Sequence, residues 1–174
     1  NTVRNLRCGA SSGLPAHLPP LDALNASSLQ ENWAALTDTL TGWLKKGIIA
    51  GPYDFPPIPD FRVNRIMAVV QRSKVRPVMD LSYPEGNSYN EHIDPLELRK
   101  VCMTAVENFT YTIRAIGPKA LMSKFDMQDA YKLVPVAPEA LANQGFKWLG
   151  KFFCESQLIY GSKKAVQDFD DLGL

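Results

Sequence analysis

Apolar residues recur at helical spacing between residues 29 and 46. The positions concerned are Trp33, Leu36, Leu40, Trp43 and Leu44. Just before them, Ser28 and Glu31 have the spacing of a capping box. We therefore predict one amphipathic helix over residues 29–46, with both tryptophans on its buried face. Residues 1–27 are rich in Gly, Ser and Pro and are predicted to form an extended Pro-rich arm that lies on a neighbour.

Two runs of β-forming residues predict a hairpin. Ile66–Val70 and Val75–Met79 are separated by the polar segment Gln71–Lys74, so the tip of this hairpin is expected to be cationic. A second pair of antiparallel strands is predicted within residues 145–161, with its turn at Leu149-Gly150.

An acidic pair interrupts the apolar pattern in the last third of the chain. Residues 121–125 predict a short buried strand, and Tyr131–Val136 is a second apolar run rich in β-formers. Asp126 and Asp129 lie between these two segments. A carboxylate at a strand end can bind Mg²⁺, which takes few protein ligands and shares phosphate oxygens. It can equally cap a turn by accepting backbone N–H bonds, and spacing alone leaves both roles open.

Two helical signals flank the acidic pair. Asp94-Pro95 has the form of a helix start, and the residues that follow keep a mixed helical periodicity to about Ile116, before Gly117-Pro118. We predict a packing helix there. Residues 138–141 predict a single helical turn.

Composition and charge narrow the classes of function only a little. The 174 residues suit one domain, with 45% hydrophobic residues and a net charge of +1. Seven basic residues against two acidic ones between Lys45 and Arg76 suit either contact with phosphates or a solvated face. Three cysteines without zinc-site spacing favour a reduced, intracellular compartment. No apolar run approaches the roughly 20 residues of a membrane span, and a start at Asn1 predicts a longer parent chain.

The string FDMQDAYKLVPV, residues 125–136, resembles the first palm motif of reverse transcriptases. In that motif an Asp, two further residues and often a second Asp precede an alanine and an aromatic residue. The resemblance implies that Asp126 is a catalytic metal ligand and that Met127 offers its backbone carbonyl to the same Mg²⁺. It implies that Asp129 lies near the triphosphate and that Tyr131 is the aromatic gate that excludes a ribose 2′-hydroxyl.

Five upstream blocks resemble the fingers of reverse transcriptases from tyrosine-recombinase (DIRS-like) retrotransposons. They are Gly51-Pro52, Pro56-Pro57-Ile58-Pro59, the basic hairpin Arg72–Arg76, Asp80-Leu81-Ser82-Tyr83-Pro84 and Ser88-Tyr89-Asn90. By this resemblance Arg76 contacts the incoming nucleotide, and Arg72 occupies the neighbouring basic position. The planar guanidinium group of arginine is chemically apt for phosphate, because it donates two parallel hydrogen bonds.

Tyr160-Gly161 and the segment after it resemble the second palm motif, an aromatic-Gly loop that opens a helix. The resemblance implies that these two residues pack on the nucleotide and the template. The family often has a small residue and Pro where this chain has Ala165-Val166. Asp170-Asp171 falls in the predicted helix and matches the tail of this motif, so we do not assign it as a catalytic pair.

Together these motifs imply an α+β fold, a partial polymerase right hand. An N-terminal helix and a fingers-like region would occupy residues 28–120, and a partial palm would occupy residues 121–174, with the helix near residues 94–116 behind it. The third palm motif, an aromatic-x-Asp-Asp or related pair, is not among these residues. We therefore expect the isolated chain to be inactive.

Two functions remain open from the sequence. The first is an RNA-directed DNA polymerase completed by a continuation or a partner, with Mg²⁺ as cofactor and with dNTP, RNA template and DNA primer as ligands. The second is a non-catalytic, retroelement-derived structural subunit of a protein or ribonucleoprotein assembly. Either would place a protein partner over the exposed palm surface. A free-standing RNA-binding domain fits less well, because an RNP-type aromatic pair is missing.

Overall fold

The computed structural model describes residues 2–15, 17–71, 74–101, 105–124 and 126–171. In chain order the helices are α1 (Thr2–Cys8), α2 (Ser28–Glu31), α3 (Trp33–Lys45), α4 (Val106–Ile116) and α5 (Ala165–Asp170). The strands are β1 (Ile49–Tyr53), β2 (Val63–Gln71), β3 (Lys74–Asp80), β4 (Gly145–Trp148) and β5 (Lys151–Glu155). Short 3₁₀ turns cover Tyr89–Glu91, Pro95–Glu97, Ala130–Leu133 and Pro138–Asn143. The fold is α+β, as predicted.

The five strands form one mixed sheet in the order β1-β5-β4-β2-β3. The predicted hairpin is confirmed: β2 and β3 are antiparallel from Arg65–Asp80 to Gln71–Lys74, while the tip residues 72–73 lie outside the described residues. The hairpin β4–β5 is confirmed too, because Leu149 and Gly150 both have positive φ, as a tight two-residue turn requires. The two hairpins join through two parallel pairs, Val63–Gly145 and Asn64–Phe146.

The predicted helix over residues 29–46 is present as α2 and α3, with a break at Asn32. The capping-box prediction is wrong, because the Ser28 hydroxyl accepts a hydrogen bond from the Ala68 N–H of β2 at 3.1 Å. The Ser28 hydroxyl thus accepts from a strand N–H and not from an N–H of the first helical turn. Of the two tryptophans, Trp43 packs against the core, whereas Trp33 is 57% exposed, so the prediction of burial fails for Trp33.

Helices α2 and α3 cover one face of the sheet, against β1, β2 and β3. The main core lies between them. Its buried members include Leu29, Leu36, Leu40, Ile49, Ile66, Met79, Phe146, Trp148 and Phe153. Within the described residues, no helix is both long and apolar enough to cross a bilayer.

The N-terminal arm is bound to its own chain. Residues 2–8 form helix α1, which the sequence reasoning did not predict. Further on, the Ala23 and Ala26 N–H groups donate to the carbonyls of Val63 and Ile66 at 2.9 and 3.0 Å, so the arm runs beside β2. The fully buried Arg62 fastens it, because its guanidinium donates to the Pro19 carbonyl and to Asn87. The arm thus packs on its own chain, and the expectation that it lies on a neighbour stays a prediction.

The two apolar segments around the acidic pair do not form the predicted strands. Residues 121–124 are irregular, with Leu121 fully exposed and Met122 68% exposed, and Phe125 lies outside the described residues. Residues 130–133 form a 3₁₀ turn, after which Pro135 and Val136 make only isolated bridges. A strand needs a neighbour for its backbone hydrogen bonds, and among the described residues the sheet offers none to residues 121–124.

The helix predicted from Asp94 is also different in the structure. The Asp94 carboxylate caps a short 3₁₀ turn at Pro95–Glu97 by accepting from the Leu96 N–H at 2.8 Å. Helix α4 follows separately and has no buried residue, so the prediction of a packing helix is wrong among the described residues. Its exposed apolar side chains include Val106, Phe109, Tyr111 and Ile116. The predicted turn near residues 138–141 is confirmed as Pro138–Asn143.

Candidate functional site

Two aromatic residues from separate segments meet beside the sheet. Tyr131 belongs to the 3₁₀ turn, and Tyr160 belongs to the loop after β5; their ring centroids are 4.9 Å apart. Phe169 of α5 closes the group, 5.3 Å from the Tyr131 ring. Burial raises the pKa of both tyrosine hydroxyls, although Tyr160 is still 37% exposed. The structure thus brings together two residues that the sequence assigned to nucleotide binding.

Charged side chains of both signs lie near this aromatic pair. After burial, the Asp129 carboxylate is the next cause that raises the pKa of Tyr160, whereas the Arg76 guanidinium lowers it. Asp129 has the left-handed φ of 52°, which Asp tolerates better than most residues, and it precedes the turn that carries Tyr131. Its carboxylate lies 3.9 Å from the Lys46 ammonium. Sequence reasoning missed Lys46 at this site because it was read only as the end of a helix.

A buried asparagine joins the upstream blocks to the loop of Tyr160. The Asn90 amide donates to the Gly161 carbonyl at 2.9 Å and to the Ser82 hydroxyl at 3.2 Å, and its oxygen accepts from the Lys163 N–H at 3.0 Å. Gly161 has a φ of +97°, where a side chain is strained. Three polar contacts from one side chain therefore fix the loop against the rest of the site.

A capping box holds the turn that carries Asn90. The Ser88 side chain accepts from the turn, while the Glu91 carboxylate accepts from the Ser88 N–H at 2.9 Å and from the Ser88 hydroxyl at 2.7 Å. These hydrogen bonds lower the pKa of Glu91 from 4.5 to about 2. Sequence reasoning noted Ser88 and Asn90 as a motif but did not identify this box, although S-x-x-E was legible in the sequence.

The capping box predicts an acid-dependent loss of stability. A carboxylate whose pKa is lower in the folded state stabilises the fold above its unfolded pKa and loses that contribution as pH falls through about 4.5 towards about 2. We expect the stability difference between wild type and Glu91→Gln to shrink across this window in urea denaturation at several pH values. Glu85→Gln is the matched control, because it removes an exposed carboxylate of the same loop. A difference that stays constant from pH 5 to 2 would contradict the assignment.

The two residues predicted to bind metal, Asp126 and Met127, lie on the surface before the turn that carries Tyr131. Asp126 is exposed and Met127 is 39% exposed, both in an irregular segment. Among the described residues, no group of three His, Cys, Asp or Glu side chains is placed to hold a metal ion. The roles of Asp126 and of the Met127 carbonyl as Mg²⁺ ligands therefore stay predictions. Arg72 lies outside the described residues, so its predicted role in nucleotide binding stays a prediction.

Asp170 and Asp171 have a different role. Asp170 ends α5, as predicted for this segment, and Asp171 follows it. The Arg99 guanidinium donates to their carboxylates at 2.9 and 2.7 Å. The pair thus binds an arginine of an earlier segment, and its exclusion as a catalytic pair stays a prediction.

Lys132 is a buried, charged residue next to the aromatic pair, and sequence reasoning missed it. It follows Tyr131 in an apolar run, yet its ammonium forms an ion pair with Glu155 at the end of β5, and both side chains are almost completely buried. Burial lowers the pKa of Lys132, and the Asp129 carboxylate opposes this shift. The signal available in the sequence was a lysine among the apolar residues of YKLVPV.

Solved structures of viral reverse transcriptases resemble this chain in fold. Prototype foamy virus protease-reverse transcriptase gives a TM-score of 0.58 at 17% identity, over 90% of this chain and 18% of that chain. The foamy viral protease-reverse transcriptase dRH in complex with ds DNA gives 0.65 at 14% identity, over 95% of this chain and 26% of that chain. No protein-family model and no curated protein matches the chain. It therefore has the fold of part of a reverse transcriptase, and spans about a quarter or less of these two chains.

Proposed function

We propose that this chain is a reverse-transcriptase-derived module that binds a deoxynucleoside triphosphate beside Tyr131 and Tyr160. The observation that carries this proposal is the 4.9 Å approach of the two rings, with Asp129 and Arg76 close enough to act on the Tyr160 hydroxyl. An aromatic floor suits a base and a sugar, while the Arg76 guanidinium suits phosphate oxygens. The similarity to a viral reverse transcriptase in fold supports the same reading.

The catalytic part of the proposal requires residues beyond these 174. Nucleotidyl transfer places metal ions on the attacking and leaving oxygens, and Asp126 is one carboxylate. When bound, Mg²⁺ would neutralise charge that develops on the phosphates. Asp126 and the Met127 carbonyl would hold it in our proposal, and a continuation or partner would supply the Asp pair. RNA-directed DNA synthesis is therefore proposed for the completed protein and not for the isolated chain. An origin in a DIRS-like retrotransposon is part of the same proposal.

A protein partner is proposed for the exposed apolar side chains of α4 and of the segment after it. Helix α4 exposes Val106, Phe109 and Ile116, which share one face at helical spacing, and Leu121 and Met122 after the helix are exposed too. Exposed apolar side chains grouped in this way are typical of an interaction site. This surface also favours the second candidate function, a non-catalytic structural subunit, in which Asp126 would be inherited without being used. RNA template and DNA primer are proposed ligands only for the first candidate.

Nucleotide binding by the isolated chain tests the proposed site. We expect Mg²⁺·dNTP to bind wild type and Arg76→Ala to weaken that binding about 10- to 100-fold, the scale of one charged hydrogen bond. Isothermal titration calorimetry measures the dissociation constants. Arg4→Ala is the matched control, because it removes an exposed arginine from helix α1.

Two outcomes would count against the site. Wild type that binds no nucleotide at millimolar concentration would reject the proposed pocket. Equal weakening by Arg76→Ala and Arg4→Ala would mean that the chain attracts triphosphates only through its general charge. Specific weakening by Arg76→Ala alone would support the site.

A further inference from the structure

The ion pair of Lys132 and Glu155 lies inside an apolar cavity next to the proposed nucleotide site. The two side chains are 2% and 4% exposed. Apolar residues line the cavity around them: Leu40, Trp43, Ile66, Met79, Phe146 and Ile159. Desolvating two charges costs free energy, which the pair recovers only through good geometry. Packing of the core alone therefore does not explain why a charged pair occupies this cavity.

The Lys132 ammonium connects three separate segments. It pairs with Glu155 at the end of β5 and donates to the Leu158 carbonyl at 3.3 Å. It also lies 4.9 Å from the ring centroids of Trp43 in α3 and of Tyr160. A cation over an aromatic face is attracted by the ring quadrupole, and more strongly where water is excluded. The Lys132 ammonium thus stabilises the position of the Tyr160 ring through a cation–π interaction.

Lys132 also determines where Tyr131 points. Both residues belong to the single 3₁₀ turn Ala130–Leu133, in which successive side chains leave the axis about 120° apart. The backbone hydrogen bonds of the turn are local, from Lys132 to Asp129 at 2.7 Å and from Val134 to Tyr131 at 3.2 Å. With the Lys132 side chain anchored inward, Tyr131 is directed to its place against Tyr160.

We propose that Lys132 and Glu155 are positioning residues that set the relative placement of Tyr131 and Tyr160, and through it the fit of the sugar of the bound nucleotide. This inference rests on the proposed nucleotide site and on the proposed role of Tyr131 as the gate for the 2′-hydroxyl. An apolar pair could fill the same cavity, but it would not fix the direction of the turn. A charged pair has one favourable arrangement, and the Tyr160 ring follows it.

The test is sugar selectivity in binding. The variant Lys132→Met/Glu155→Leu replaces the pair by apolar side chains of similar length. We expect this variant to fold. Sugar selectivity is the dissociation constant of a ribonucleoside triphosphate divided by that of the matching dNTP, and we expect this ratio to fall at least about fivefold in the variant. The reference variant is Arg4→Ala, which removes an exposed arginine from α1 and should leave this ratio unchanged. Lys132→Arg keeps a cation at the position and should keep most of the selectivity.

The outcomes separate this inference from the proposed function. If wild type binds dNTP selectively and the double variant keeps that selectivity, positioning by the ion pair is overturned while the nucleotide site stands. If wild type binds neither nucleotide, or binds both equally, the proposed gate fails and this inference fails with it. Should the double variant not fold, Glu155→Gln gives the answer, because it keeps a hydrogen-bond acceptor but removes the counter-charge. Unchanged selectivity in Glu155→Gln would then overturn the proposal.

Discussion

Replacing Lys132 by methionine should lower the free energy of unfolding by about 3–5 kcal/mol, the usual cost of removing one partner of a buried ion pair. The methionine side chain fits the apolar cavity, so lost packing contributes little. The cost arises because the Glu155 carboxylate, 4% exposed, stays buried without its cation. Urea denaturation of wild type and variant, followed by circular dichroism, measures the difference.

Two comparisons separate this effect from a general sensitivity to substitution. Lys163→Met removes an exposed lysine from the neighbouring loop and should change stability by less than about 0.5 kcal/mol. Lys132→Met/Glu155→Leu removes both charges and should recover most of the stability that the single variant loses. A double variant as unstable as Lys132→Met would show that packing, and not the unpaired carboxylate, causes the loss.

Asp126→Asn should abolish primer extension by the completed protein. The substitution keeps the size of the side chain but removes the charge that we propose to hold Mg²⁺. Loss of a single group that stabilises transition-state charge typically costs about 100- to 1,000-fold in rate. The measurement is primer extension on an RNA template with Mg²⁺ and all four dNTPs, carried out with the chain in its native complex.

The control for this experiment is Asp38→Asn, which removes an exposed carboxylate from α3. It should extend primers as wild type does. If wild type in its complex extends no primer while all three forms assemble equally well, the chain serves as a structural subunit. If wild type extends and Asp126→Asn extends equally well, the polymerase site uses other ligands and the assignment of Asp126 is wrong.

Local patterns predicted the elements whose hydrogen bonds are local. Both hairpins are present because their turns and alternating residues specify them within a few positions, and Leu149-Gly150 takes the expected backbone. The predictions that failed depend on distant partners. Ser28 lost its capping role to the N–H of Ala68, and residues 121–124 have no strand beside them among the described residues.

Individual residues of the candidate site could be named from the sequence, but the contacts between them could not. Resemblance to a family named Tyr131 and Tyr160, yet nothing in their spacing indicates that the rings touch. Lys132 was overlooked because a lysine is ordinarily exposed, and its burial requires the Glu155 carboxylate of β5 as a partner. The bonds of Asn90 likewise join segments that are far apart in the sequence. Such contacts are set by the tertiary fold, which single positions do not reveal.

Within the described part of the chain, two parallel residue pairs, Val63–Gly145 and Asn64–Phe146, join the two hairpins of the sheet. Forming each hairpin closes a short loop of the chain. Pairing β2 with β4 closes a much longer loop, and this costs more chain entropy. Folding rate falls as contacts become more distant in sequence. We therefore expect the hairpins to form early and their docking to limit the rate. The arm contacts both hairpins, because its backbone bonds to β2 and the Asn25 amide donates to the Lys147 carbonyl of β4 at 2.8 Å, so the N-terminal residues would complete the structure only after that docking step.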